Sequence, residues 1–365
     1  MGTEQETGPV VPGRPESTPG TGTAQAAEQA PPTRPGTVLV TGASGMLGGA
    51  VADLLEARGW DVTVMQRRTA GGRHRESLGD IRDPEAVARA LRGQDAVVHL
   101  AAKVDVVGRW MDFVETNVRG TRHVIEALRA RGGGTLVHIS SPSVAHTGHS
   151  LAGEGAGAAT PMHTQGYYAR TKAAAELFAL EADERGERDL AVTALRPHLV
   201  WGPGDTQLVG RIAERARQGR LALVGSGSAL VDTTYVDNAA EAIVAALARI
   251  EHARGQALVV TNGEPRPIGE LIAGICRAVG APEPRLHVPM PVAWGLGAAV
   301  EGVAALSRRV PGMPTMTQPP MTRFLARQLS TAHWFDQRRT REVLDWEPRI
   351  SIDEGLELLG RHHAR

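Results

Sequence analysis

Tyr168 and Lys172 stand four residues apart in QGYYARTKAAAE, residues 165–176. The chain has three tyrosines and only two lysines, Lys103 and Lys172, beside 38 arginines. A chance Y-x-x-x-K is then expected roughly 0.02 times. On a helix this spacing puts both side chains on one face. A free phenol titrates near 10 and is a poor base at neutral pH. An ammonium about 4 Å away, at an effective dielectric of about 20, stabilises the phenolate by about 4 kcal/mol. That is enough to bring the phenol toward neutrality, so the pair predicts a proton donor and acceptor for cellular pH. Tyr167, one helical step away, is expected to point elsewhere.

Two further groups would complete such a site. HISSPSV (138–144) ends an apolar run in Ser140 and Ser141, where a hydroxyl can hold a substrate oxygen while the tyrosine exchanges its proton. Ser141 is the first candidate and Ser143 the second. Asn117, in ETNVRGT (115–121), falls in a long helical pattern and can support the site through backbone or water.

VTGASGMLGGA (40–50) supplies a glycine loop, with Gly42, Gly45 and Gly48 spaced G-x-x-G-x-x-G between an apolar strand and a helix. The first glycine permits the sharp turn, the second the approach of a pyrophosphate to backbone, and the third close packing of helix on strand. Ser44, Met46 and Leu47 complete the loop, and the helix start offers unpaired N–H groups to phosphate. This predicts dinucleotide binding, and Lys172 fits it, because a compact ammonium can hydrogen-bond a nicotinamide ribose. The next strand ends in Gln66, followed by Arg67 and Arg68. A neutral residue beside two guanidinium groups favours a 2′-phosphate over a bare ribose, so NADP(H) is expected to be preferred, with NAD(H) possible. Asp80 and Ile81 are suited to the adenine, while Ala101 and Ala102, which end a strand, and Lys103, which follows it, are expected along the cofactor edge.

Positioning these groups takes an alternating fold. Short β-branched runs at 37–42, 61–66, 95–102, 134–141 and 190–197 alternate with helical patterns at 45–59, 84–93, 110–131 and 165–186. The alternation predicts an α/β, Rossmann-type doubly wound parallel sheet. The expected division is a disordered tail over 1–35, a dinucleotide-binding domain over 36–200 with 232–251 returning to it, and a smaller substrate-binding cap from 201–231 and 252–365. The cap would cover the carboxyl edge of the sheet.

Composition narrows the function. Forty acidic residues balance forty basic ones, which gives no reason to expect nucleic acid or an anionic membrane as partner. Cys276, the single cysteine, lies in an apolar-periodic stretch and reads as a buried hydrophobe, so no disulfide and no cysteine-based metal site is expected. Residues 291–306, broken by Glu301, are too short for a membrane span. The tail has neither an apolar signal core nor transit-peptide character, so a cytoplasmic protein is expected.

Together, TGASGMLG, HLAA, NVRGT, ISSPSV, YARTK and RPHLVWGPGD resemble the extended short-chain dehydrogenase/reductase superfamily from about Thr37 to the C-terminus. AAKVDVVGRWMDFVETNVRGT, VDTTYVDNAA and PPMTRFLARQLSTAHWFD are most similar to its 3β-hydroxysteroid dehydrogenase and 2-alkyl-3-oxoalkanoate reductase group. The resemblance implies an NAD(P) cofactor, catalytic Ser141, Tyr168 and Lys172, Pro197 against the nicotinamide, and a homodimer through the helices at 110–131 and 165–186. Val144–His146 and Val200–Pro203 depart from the V-Y-G and V-Y-G-P elements of sugar-nucleotide members. A cap helix carrying Trp294, Leu296, Val300, Val303 and Leu306 suits a small apolar substrate. The expected activity is an NADP(H)-dependent interconversion of secondary alcohol and ketone on a steroid or β-keto acid; the alternative is a nucleotide-sugar epimerase or dehydratase.

Overall fold

The β-branched runs lie side by side in one seven-stranded parallel sheet. From edge to edge its strands are Ala257–Val260, Leu190–Pro197, Gly134–Ile139, Ala96–His99, Thr37–Thr41, Asp61–Gln66 and Arg75–Leu78. The computed structural model describes Gly2 and residues 35–69, 71–105, 108–186, 189–307 and 331–364. All but two residues of the tail at 1–35 lie outside them, as do residues 319–330 of the PPMTRFLARQLSTAHWFD motif and the side chains of Val303 and Leu306.

Val, Ile and Leu dominate the inner strands because both faces of a parallel sheet are covered by helices. On one face Val38, Val40 and Val98 pack with Val51 and Leu55 of the helix Met46–Ala57 and Ile243 and Leu247 of the helix Val236–Ala248. On the other, Leu39, Val97 and Leu136 pack with Val87 of Pro84–Ala90 and Val124 and Leu128 of Gly120–Ala130. A third apolar cluster, built on Trp201, Tyr235, Ile272 and Ile275, joins the later segments. Cys276 is buried in it as a free thiol.

Three elements differ from expectation. Ala257–Val260 was assigned to the cap but forms the outer strand of the sheet, pairing Ala257 with Ala194 and Val260 with Pro197. Its run ALVV is short, and burial against Leu190–Pro197 decides its place. The helix expected at 110–131 contains a π-helical stretch, Val114–Arg119, between Trp110–Phe113 and Gly120–Ala130. The helix expected at 165–186 spans Tyr167–Glu181. A small mixed sheet of Arg266–Pro267, Leu230–Val231, His333–Phe335 and Leu151–Glu154 draws its strands from four distant segments. No helix among the described residues is long and apolar enough to cross a membrane.

Candidate active site

At the end of the first strand the chain turns at Gly42, where φ is +78° and a Cβ would lie 2.8 Å from the Ala101 nitrogen. At Gly48 a Cβ would meet the Gly42 carbonyl oxygen at 2.3 Å, so helix and turn touch backbone to backbone. Gly45 is different: its nearest neighbour would be 3.5 Å away, and it faces the cavity. Two of the glycines are therefore demanded by packing and the third opens the loop. The helix Met46–Ala57 that follows has no side-chain cap and no acidic residue in its first turn. Its leading N–H groups and partial positive charge suit a pyrophosphate. The glycine spacing thus fits a dinucleotide in shape as well as in sequence.

A cavity of about 1370 Å³ is lined by this loop, by Ser141, Tyr168 and Lys172, and by Leu151, Leu199, Leu208, Trp294 and Phe335 among others. A pocket for one small ligand measures about 300–1,000 Å³, so this one has room for a dinucleotide and a second molecule. Gly42, Ser44, Gly45, Met46, Leu47, Gly48, Ala102, Ser141, Ser143, Tyr168, Lys172 and Pro197, all expected at the site, line it.

Ser141 caps a short 3₁₀ turn, Pro142–Ala145, and its Oγ accepts a hydrogen bond from the Ser143 hydroxyl at 3.0 Å. It also hydrogen-bonds Tyr168. Burial pushes the Tyr168 phenol above its ordinary value and the Ser141 hydrogen bond opposes that rise. Lys172 was expected to pull the phenol down, but its ammonium donates to the Ile139 carbonyl and lies 3.4 Å from His138 Nε2. A buried ammonium needs acceptors, and the end of the neighbouring strand supplies them. Burial draws Lys172 itself down to about 8, with the Glu176 carboxylate opposing. His138 accepts from Lys172 through Nε2, so its proton sits on Nδ1, which has no partner. Burial holds this histidine well below its ordinary value.

Asn117 lies outside the cavity lining and acts as a clamp from the π-helical stretch. Its Oδ1 accepts from the Lys103 backbone at 2.7 Å, and its Nδ2 donates to the Lys103 carbonyl and to Thr171 Oγ1 at 3.1 and 3.0 Å. It thereby ties the exit of the fourth strand to the residue preceding Lys172. A second clamp is the buried pair Glu176–Arg196, with Arg196 Nε 2.8 Å from Glu176 Oε2. The remaining expected residues stand away from the cavity. Gln66 donates to Glu76 at 2.7 Å, Arg67 and Arg68 are exposed, and Asp80 is held below its ordinary value by Arg82. Ile81 packs in the core, Ala101 abuts Gly42, and Lys103 is paired with Asp105 at 2.6 Å.

The cap helix spans Met290–Ser307; among its expected lining residues with described side chains, Trp294 reaches the cavity, Val300 does not and Leu296 is exposed. Tyr167 lies at the cavity mouth with its ring 5.3 Å from that of Trp110. Sequence reasoning missed His146, His198 and His333, three buried lining residues. Adjacency to Pro197 could have signalled His198, and the departure at Val144–His146 could have signalled His146; nothing local marks His333.

The model of the NAD dependent epimerase/dehydratase family matches residues 38–260, from the first strand of the large sheet through its last. The chain belongs to this family. Within it the chain is 44% identical over 338 residues to a 2-alkyl-3-oxoalkanoate reductase of Stenotrophomonas maltophilia, covering 88% of this chain and 98% of that protein. It is 31% identical over 325 residues to the sterol-4-alpha-carboxylate 3-dehydrogenase, decarboxylating, of Homo sapiens, covering 87% and 86%. Among solved structures, MoeE5 in complex with UDP-glucose and NAD matches with a TM-score of 0.67 at 24% identity, over 90% of this chain and 99% of that one. At that identity the likeness is one of fold. The chain is an oxidoreductase of CH–OH groups, and its family is NAD-dependent.

Proposed function

We propose that the chain interconverts a β-hydroxy acid and a β-keto acid bearing apolar chains or rings, with NADP(H) preferred over NAD(H). The observation that carries this reading is one cavity lined by the glycine loop, by Ser141, Tyr168 and Lys172, and by apolar side chains that include Leu151, Leu199 and Phe335. The names of the two relatives agree on a carboxylate attached to the carbon next to the one that is oxidised or reduced. With its pyrophosphate on the glycine loop, a bound dinucleotide would supply or accept the hydride. Tyr168 gives its proton to the ketone oxygen as the alcohol forms and recovers it in the reverse direction. Ser141 donates a hydrogen bond to that oxygen, and Lys172 holds the ribose. Asn117 positions the helix that carries Lys172. Exposed Arg67 and Arg68 supply the charge for a 2′-phosphate. We further propose a cytoplasmic homodimer through Trp110–Ala130 and Tyr167–Glu181, on which Met111 and Leu177 are exposed.

A screen of cofactor absorbance with 2-alkyl-3-hydroxy acids, steroids and UDP-sugars tests the reading. Net turnover of NADP⁺ with the hydroxy acids is expected; conversion of a UDP-sugar with no net change in cofactor would overturn it. Changing Arg67 and Arg68 to Ala should raise KM for the NADP form far more than for the NAD form, and equal effects would remove the stated preference.

A further inference from the structure

His146, His198 and His333 come from three distant segments and meet in the wall of the cavity, 6, 6 and 3% exposed. The rings of His146 and His333 are 4.8 Å apart and those of His198 and His333 are 5.9 Å apart. His333 Nε2 lies 3.2 Å from His146 Nε2 and 3.0 Å from Thr331 Oγ1. A nitrogen pair at that distance has one donor and one acceptor, so at least one of these two imidazoles is neutral. His198 Nδ1 donates to the Asp232 carbonyl, which makes Nε2 the nitrogen available to a ligand.

Three imidazoles are a costly way to build a wall whose other members include Leu151, Leu199 and Phe335. Buried polar groups lose hydration that apolar side chains never had, so a polar ligand is the simplest return for placing them there. Among the described residues no group of three His, Cys, Asp or Glu has the arrangement to hold a metal ion.

The acidic groups nearby are already committed. Asp105 pairs with Lys103, and Asp205 accepts the backbone N–H groups of Gln207, Leu208 and Val209. The Asp232 carboxylate is taken by Thr261 and Glu264, leaving only its backbone carbonyl to His198. Burial keeps His198 and His333 neutral, down to about 4 and about 3. An anion in contact reverses that balance by favouring imidazolium.

Position identifies the anion. His146 closes the 3₁₀ turn that Ser141 opens, and its backbone N–H donates to the Ser143 carbonyl at 3.2 Å. In a β-keto acid the carboxylate carbon is two bonds from the ketone carbon. A ketone held at Ser141 therefore puts its carboxylate in the neighbourhood of this same turn.

We propose that His146, His198 and His333 form the subsite that receives the substrate carboxylate, making the chain a reader of β-hydroxy and β-keto acids in preference to neutral alcohols and ketones. This rests on the function proposed above and names the residues that set its substrate class. Arg211, which also lines the cavity and donates to Gln207 at 2.7 Å, is the rival carboxylate receiver.

The test is the ratio of kcat/KM for a 2-alkyl-3-hydroxyalkanoate to that for its methyl ester, with NADP⁺. The ratio should be at least tenfold in the wild-type chain and fall to about one in His146→Gln/His333→Gln, chiefly through KM of the acid. Should that double variant not fold, His198→Asn carries the same measurement. A ratio near one in the wild type, a ratio that survives in the histidine variants, or one that collapses in Arg211→Gln would overturn the subsite and leave the alcohol–ketone reading intact. Turnover of neither acid nor ester would remove both.

Discussion

Lys172 is 3% exposed, and its ammonium is enclosed by the Ile139 carbonyl and His138. A guanidinium keeps the charge but is wider and planar, with its donors spread in a fork. Lys172→Arg should therefore retain the fold by circular dichroism while lowering kcat by about 100-fold, and near-normal turnover would mean that charge alone matters. Tyr168→Phe removes the transferable proton and should cost about 10²–10⁴ in kcat with little change in substrate KM. At this scale the sequence was most readable where spacing is local. Tyr168 and Lys172 sit four apart on one helix, and the three glycines fall within one turn. The contacts of Lys172 were not readable, because its carbonyl partner lies 33 residues earlier and is brought to it only by the strand beside the helix. Nor does the spacing show the burial that raises the Tyr168 phenol against the expected pull of Lys172.

Among the elements, the loop after Leu190–Pro197 holds Leu199 at φ +43°, one of two non-glycine residues with positive φ among those described. Leucine is disfavoured there, glycine is not, and a residue so held costs of order 1 kcal/mol. Leu199 also lines the cavity and packs against the third apolar cluster. Leu199→Gly should be more stable than Leu199→Ala by about 1 kcal/mol in denaturant unfolding, reversing their usual order. Both variants should lose turnover of apolar substrates. The Glu176–Arg196 clamp makes a second case. Each side chain is 1% exposed, so Glu176→Gln leaves a buried guanidinium without its counter-charge and should destabilise by about 3 kcal/mol or more in the same assay. Strands and helices with repeated apolar runs were legible in advance. The π-helical stretch was not, since no residue pattern announces it; it is visible in the backbone around Asn117, and such stretches recur at functional sites.

For the whole molecule, acid is the informative perturbation. His99, His198 and His333 stay neutral in the fold down to about 3, about 4 and about 3, through burial above all. Unfolded histidine titrates near 6.5. Between those limits the unfolded chain binds protons that the folded chain does not, so stability falls as pH drops from about 6.5 toward 4. Each such histidine contributes up to about 1.4 kcal/mol per pH unit. Tm should decline steeply between pH 7 and 5, and a flat profile would contradict this account. The proposed dimer predicts that light scattering gives twice the chain mass and that Leu177→Glu gives the chain mass alone. The sheet was legible from alternating patterns, whereas the histidine cluster was not, because His146 and His333 stand 187 residues apart with no shared period. The outer strand, Ala257–Val260, has a consequence for biosynthesis. Until the ribosome has passed residue 260, the strand Leu190–Pro197 keeps an open edge, a template for pairing with another nascent chain. Fragments that stop between residues 200 and 256 should therefore need chaperone shelter that the finished chain does not.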